Sequence, residues 1–386
     1  MTTTQSAKLL SGVPAINKAV FHQIRFDAHD PASIIVMPDG KRVLILRDVE
    51  LMRAKTQAKA DEVHCYEDFE PAEGLSGDRE IRAAQATAVC LKRAGVTSVS
   101  VDRSLPMLVF DACMRAGISV SLDVNLGVKD RRQKDAEEVE ALRTAQRITE
   151  GAIRMACELI AKTEANKNGV LLDPTRPGET LTAERVKGLI TAHLAEHGAL
   201  GEHHIIAGGP EGGDCHNGGS GVLRTEQPII VDVFPKHLES GYHGDCTRMV
   251  VHGQIPDEVK KMHATVVEAK AAGIEAIRAG VTGEDVHRAV IGVITSHSYH
   301  TGFPPEGSPA SYCSMPHGTG HGLGLDLKEP PLLDFKGPAL LVGDAVTVEP
   351  GLYSMAVGGM RLEDLVIVTE DGCENLNELP EHLDWK

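Results

Sequence analysis

Ile230-Val231-Asp232-Val233-Phe234 places one carboxylate inside an otherwise apolar, β-rich run. A bare charge in such a run is costly to bury, so Asp232 must be paired, hydrogen-bonded or bound to a metal if the strand is internal. Residues 345–349 and 362–368 pose the same problem with Glu349 and Glu363. Taken singly, each acid could lie on an exposed strand face or pair with an arginine such as Arg248 or Arg361, because isolated carboxylates are usually exposed. Three acids embedded in three strands of one domain are hard to explain in that way.

Working outward, four further segments concentrate the same chemistry among glycines and prolines. They are Gly241-Tyr242-His243-Gly244-Asp245-Cys246-Thr247-Arg248, His317-Gly318-Thr319-Gly320-His321-Gly322-Leu323-Gly324, Val348-Glu349-Pro350-Gly351-Leu352-Tyr353 and Arg361-Leu362-Glu363-Asp364. A four-residue spacing of His317 and His321 is weak by itself, and two loop histidines without a ligand role would look the same. Imidazole is nevertheless the commonest neutral metal ligand, and flanking glycines let backbone approach closely. Asp232, Asp245, His321, Glu349 and Glu363 together offer one imidazole and four carboxylates. Four carboxylates carry about −4, which two divalent ions neutralise while leaving room for a bridging hydroxide. Oxygen-rich ligation points to manganese first, with cobalt, iron or zinc as alternatives; no thiolate-rich set selects a structural zinc.

These segments fall in the last two thirds of a 386-residue chain, a length that suggests two domains. The first third alternates strand and helix signals. Residues 33–37 and 42–46 are β-rich runs around Asp39-Gly40, a hairpin signature. Residues 79–93 have a helical pattern stopped by Gly95, and 96–101 and 118–124 read as strands. The pattern is that of a small α/β domain. After the charged run 129–135, apolar residues at Val139, Leu142, Ile148, Ala152, Met155 and Leu159 form one helical face. The domain boundary is set here, giving domains of 1–134 and 135–386. Helices are expected at 182–196, 257–279 and 284–297, with Thr282 and Asp285 as a capping box for the last. Strands are expected at 229–234, 247–251, 345–349 and 362–368, so the second domain reads as α+β.

Composition narrows the function. A net charge of −16 disfavours binding to nucleic acid or anionic membrane, both of which call for a basic surface. No stretch approaches the run of about 18 apolar residues of a membrane span, and the N-terminus has no secretory pattern. Eight dispersed cysteines without a CxxC pair read as free thiols of a reducing compartment. The expected location is the cytoplasm.

In order along the chain, Asp232, Asp245-x-Thr247-Arg248, His317-x-x-Gly320-His321-x-x-Gly324, Glu349-Pro350-Gly351-x-Tyr353 and Arg361-x-Glu363-Asp364 resemble the motifs of the pita-bread metallopeptidases. The resemblance covers about residues 135–386, and the first third resembles the creatinase/prolidase-type N-terminal domain. Methionine aminopeptidases usually lack that domain, which favours aminopeptidase P or prolidase. The resemblance implies an α+β architecture with an N-terminal α/β domain followed by a pita-bread catalytic domain. It implies a dinuclear peptidase that hydrolyses Xaa-Pro bonds, as aminopeptidase or dipeptidase, through a metal-bridging hydroxide. Asp232 would chelate one metal, Asp245 and Glu363 would bridge both, and His321 and Glu349 would bind the second. Glu349 would also act as general base. His216 would contact substrate and help proton transfer, His317 would line the substrate site, and Arg361 would orient the bridging carboxylates. The substrate is a small peptide with proline second, and a homodimer is expected because closed two-fold dimers are the commonest oligomers.

Two departures stand out. The interval from Asp232 to Asp245 is two residues longer than is common in the family, within 235–241, where a hairpin absorbs two residues without inverting strand facing. Seven positions after His321, the family usually has a substrate-binding histidine; here it is Lys328. Lysine can donate to a carbonyl but cannot accept. His243 is a candidate for supplying the missing imidazole. Lys328 also motivates an alternative, a creatinase-like hydrolase or lyase on the same scaffold, since fold does not fix function. A binding module that has lost catalysis would be expected to have lost a ligand, and all five are present.

Overall fold

The computed structural model describes residues 6–201 and 203–386. Two compact units divide between Arg131 and Arg132. The first is built on a six-stranded mixed sheet in the order Glu62–Cys65, Arg42–Leu46, Ala32–Val36, Ser6–Gly12, Ser98–Val101, Ser119–Leu122. Continuous apolar runs let the inner strands bury both faces. Leu9, Ile35 and Ile45 pack with Leu91 of helix Arg79–Arg93, while Leu10, Ile34 and Leu44 pack with Val20 and Ile24 of helix Lys18–Ile24. The hairpin turns at Gly40, whose φ of 89° is open to glycine.

The second unit opens with helix Ala136–Lys162. Asp135 caps it and Glu138 reaches back to the cap, both bonds at 2.9 Å. Its apolar face, including Ala152, Ile153, Ala156 and Ile160, packs on Val231, Val233 and Val250. Those residues belong to a three-stranded antiparallel sheet of Ile205–Gly208, Pro228–Val233 and Cys246–Val251, with Pro228–Val233 central. A five-stranded antiparallel sheet runs Glu329–Leu333, Gly320–Gly322, Ala345–Val348, Asp364–Val368, Cys373–Asn375. A bridge between Thr247 and Glu363 ties the two sheets together. Helices Asp257–Ala276 and Gly283–Ser296 bury Val259, Met262, Val266, Val290 and Ile294 against Met249, Leu352 and Met360. The Thr282–Asp285 capping box is formed.

Two ligand candidates lie at strand ends rather than inside strands as expected. Ala345–Val348 stops before Glu349, because Pro350 follows and cannot donate to a ladder. Glu363 sits between Gly358–Arg361 and Asp364–Val368, where the chain crosses from one sheet to the next. The helix expected to reach 279 ends at Ala276, since Ile277 is already extended.

Glu363 is held from behind by a buried charge network. Arg248 donates to the Glu363 carbonyl at 2.7 Å, to Asp364 Oδ1 at 2.7 Å and to the Leu379 carbonyl at 2.9 Å. Lys270 pairs with Asp364 and, at 2.6 Å, with Glu381. Removing one partner of a buried pair strands the others without compensation. Asp364→Ala is therefore expected to destabilise the second unit by about 3–5 kcal/mol, read from its denaturant midpoint. A loss below about 1 kcal/mol would mean that the network is not needed for folding.

Candidate metal centre

Asp232 approaches from the central strand of the three-stranded sheet, with Thr247 as its cross-strand partner. Asp245 ends the loop leading into Cys246–Val251. Gln146 of the long helix holds its backbone there, accepting from Asp245 N at 3.0 Å and donating to Asp245 O at 2.8 Å. His321 lies on Gly320–Gly322. A Cβ on Gly320 would stand 1.9 Å from the Thr347 carbonyl oxygen, and one on Gly322 would stand 2.5 Å from that of Glu329. Glycine alone lets the neighbouring strands close around His321. The hairpin that carries the two extra residues pairs Lys236 with His243 and leaves Asp245 facing the same side as Asp232.

All five ligand candidates line one cavity of about 370 Å³, with His216, His317, Lys328 and Arg361. Ligand atoms of Asp245, His321 and Glu363 lie within 4.8 Å of one another. His321 Nε2 is 3.7 Å from Asp245 and 3.5 Å from Glu349. Its Nδ1 donates to the Gly322 carbonyl at 3.1 Å, which leaves Nε2 of the neutral ring bare toward the acids. Asp232 lines the same cavity outside that triplet. His243 is not among the residues lining it, so the suggestion that it replaces the missing imidazole is not upheld.

Crowding of the carboxylates sets the electrostatics. Burial, followed by the charges of Asp232 and Glu349, pushes Asp245 well above the ordinary carboxylate range. Burial, then Asp245, Glu349 and Asp232, does the same to Glu363. Burial also raises Asp232, with Arg361 offsetting part of the rise. In Glu349 burial is outweighed by His321, His317, Arg361 and Lys328, and the group is held low. Asp232 Oδ1 is buried without a hydrogen-bond partner, while Oδ2 accepts from Arg361 at 2.6 Å. An orphaned buried carboxylate oxygen beside three further carboxylates and one bare imidazole nitrogen fits divalent cations.

Arg361 is fully engaged. Besides Asp232 it donates to Tyr353 Oη at 2.8 Å, the Cys215 carbonyl at 3.1 Å and Thr247 Oγ1 at 3.3 Å. Tyr353 Oη in turn meets His317 Nε2 at 2.9 Å, and His317 Nδ1 donates to the Gly318 carbonyl at 2.8 Å. Burial lowers the His317 pKa and favours the neutral ring that this chain of bonds requires. His216 and Lys328 are exposed on the cavity wall, and Lys328 has no hydrogen bond or ion pair among the described residues.

Sequence reasoning gave no role to the two threonines that aim the carboxylates, though Thr247 stood within the Asp245-x-Thr247-Arg248 motif. Thr247 Oγ1 accepts from Arg361 and donates to Glu363 at 2.8 Å. Thr347 Oγ1 accepts from His321 N at 3.1 Å and donates to Glu349 at 3.3 Å. Both are fully buried, and a threonine facing inward beside an acid in an apolar strand was the available signal.

The profile of metallopeptidase family M24 matches residues 140–370. This chain belongs to metallopeptidase family M24. Among its M24 relatives, the probable dipeptidase PepE of Mycobacterium tuberculosis (strain H37Rv) is 34% identical over 241 residues, 60% of each chain. The match thus spans about 60% of the length of the first curated relatives. The Xaa-Pro dipeptidase of Pyrococcus horikoshii is 27% identical over 292 residues, 75% of each chain. The solved Xaa-Pro dipeptidase from Bacillus anthracis superposes with a TM-score of 0.78 at 23% identity, covering 98% of this chain and 94% of that one. The expected fold, a pita-bread catalytic domain behind an N-terminal α/β domain, is borne out.

Two outcomes follow for the M24 site. Raised folded-state pKa values mean that Asp245, Glu363 and Asp232 bind protons more tightly folded than unfolded. Ionising them costs stability as pH rises above the unfolded carboxylate range of about 4, while Glu349 works in the opposite sense. The metal-free protein is expected to lose thermal stability over that rise, with the loss reduced in Asp245→Asn and reversed by Mn²⁺. A midpoint unchanged by Mn²⁺ at neutral pH would contradict a cation site. Thr247→Val should weaken Mn²⁺ binding by about 10–100-fold in calorimetric titration, as loss of an outer hydrogen-bonding partner does.

Proposed function

We propose that this chain is a two-metal peptidase that hydrolyses the bond preceding proline, in Xaa-Pro dipeptides or at the N-terminus of longer peptides. The observation that carries the reading is the convergence of Asp232, Asp245, His321, Glu349 and Glu363 on one cavity. These five residues would hold two divalent ions, manganese first, with cobalt, iron or zinc as alternatives. Bound there, the ions would supply Lewis acidity toward the scissile carbonyl and a water acidic enough to attack at neutral pH.

The chain's own residues supply the rest. Glu349, the one acid of the cluster whose pKa is held low, takes the proton of the attacking water and passes it to the proline nitrogen. Asp245, Glu363 and Asp232, the last through its unpartnered Oδ1, would help to hold the ions. Arg361 fixes Asp232 and, through Thr247, Glu363. His317 has both ring nitrogens in use, so it shapes the substrate wall and steadies Tyr353. His216, exposed at the cavity, is placed to touch the substrate and assist proton transfer. The eight free cysteines support a cytoplasmic location, and a homodimer is the expected assembly.

Chelation should abolish cleavage of an Xaa-Pro dipeptide or an Xaa-Pro-Xaa tripeptide, and Mn²⁺ or Co²⁺ should restore it. Glu349→Ala should lower turnover by about 10²–10⁴-fold or more, since it removes a general base together with a ligand. Full activity in a metal-free sample would refute the proposal. Turnover of small amidino compounds and of no peptide would favour the creatinase-like alternative that Lys328 motivates.

A further inference from the structure

Lys328 is a cation without a hydrogen-bond or ion-pair partner among the described residues, on the wall of an anionic cavity. The other cavity cation, Arg361, is spent on Asp232, Tyr353, Thr247 and the Cys215 carbonyl. Lys328 makes no hydrogen bond or ion pair among the described residues, yet it lines one cavity with Asp245 and Glu349. Arg361 is already matched by Asp232, so Lys328 is the cavity cation still to be matched. An anionic group on the substrate would complete the balance.

Position says where that group belongs. Lys328 and Leu332 line the cavity and also a second groove of about 390 Å³ formed by residues 328–338, with Pro331, Phe335 and Lys336. Lys328 thus stands at the junction where a longer peptide would leave the cavity. The cavity itself, about 370 Å³, is at the small end for ligand sites and suits a compact substrate. A backbone carbonyl passing the junction would accept one bond and leave the ammonium charge unmatched. A carboxylate there gives a charge-assisted bond, roughly twice as strong as a neutral one.

We propose that Lys328 anchors the C-terminal carboxylate of a dipeptide, and so makes the chain a dipeptidase rather than an aminopeptidase. The inference rests on the Xaa-Pro peptidase reading and names the substrate within it. Lysine suits the task as a compact point charge on a flexible stem, able to follow the carboxylate without a fixed fork geometry.

The test uses the full chain loaded with Mn²⁺ and three substrates: alanyl-proline, alanyl-prolinamide and alanyl-prolyl-alanine. Wild type, Lys328→Met and Lys328→Arg are compared; the exposed position keeps both variants foldable. The expected result is strong preference for alanyl-proline in wild type. Lys328→Met should raise its KM about 10–100-fold while kcat changes less than about 3-fold, and Lys328→Arg should recover most of the loss. Alanyl-prolinamide should respond little to either substitution. A binding readout runs in parallel: L-proline should inhibit wild type and lose that effect in Lys328→Met, whereas L-prolinamide should be weak on both. Equal use of alanyl-proline and its amide by wild type, or an equal rise in KM for both in Lys328→Met, would overturn the anchor and leave the peptidase reading standing. Cleavage of the tripeptide without the dipeptide would do the same. Cleavage of none of the three by metal-loaded wild type would overturn the peptidase reading, and the anchor with it.

Discussion

Four carboxylates share one cavity, and their mutual repulsion is the constraint around which the second unit is arranged. Asp245 and Glu363 are each pushed up by burial and by the acids beside them. One arginine, paired with Asp232, does not balance four negative charges. A buried cluster of this kind is tolerable when protonated or when cations are present, and unfavourable otherwise. Stability and function are thereby coupled: the same groups that make the metal-free fold expensive to ionise are the ones suited to hold metal.

Holding such a cluster open requires backbone rigidity on every side. Asp232 and Thr247 face each other across one sheet, and Thr247 bridges to Glu363 of the next. His321 and Glu349 are tied through Thr347 within the second sheet. Two threonines therefore do for the carboxylates what fixed ligands do in a rigid cage. Each spans an acid and a second partner, an arginine or a backbone amide, and so transmits the position of one strand to a carboxylate on another. Gln146 extends the same device to Asp245, clamping its peptide from the long helix.

How much of this was legible in the chain depended on whether a signal was local. The 3.6-residue periodicity that placed the long helix is local. Asp232 inside an apolar run announced a buried acid without any knowledge of its partners. The metal candidates were legible because burial, charge and glycine content coincide within single segments. What was not legible is what depends on the crossing of sheets. Strand limits at Glu349 and Glu363 were misplaced because a proline and a change of sheet, rather than propensity, decide them. The roles of Thr247, Thr347 and the Arg361–Tyr353–His317 relay were missed because each links at least one partner far away in sequence. An unbonded lysine such as Lys328 could be seen as a departure, but its place at a junction of two grooves could not.

The dipeptide Glu363-Asp364 shows how finely the fold separates the two uses of a buried acid. The residues are adjacent, both buried and both acidic, yet burial and neighbouring acids drive Glu363 up while Arg248 and Lys270 outweigh burial and hold Asp364 down. Side chains alternate across an extended backbone, so one step along the chain turns the carboxylate from the cavity to the interior. Behind the sheet, Asp364 gathers Arg248, Lys270 and Asn375 into a satisfied network, and Arg248 also grips the Glu363 carbonyl. The acid paired with cations fixes the backbone on which the acid crowded by other acids is presented. A substitution that relaxed the inner network would therefore disturb the outer site without touching it, because the two are consecutive residues on one strand end. Electrostatic frustration at Glu363 is sustained by electrostatic satisfaction at Asp364, and the pair is read together only in three dimensions.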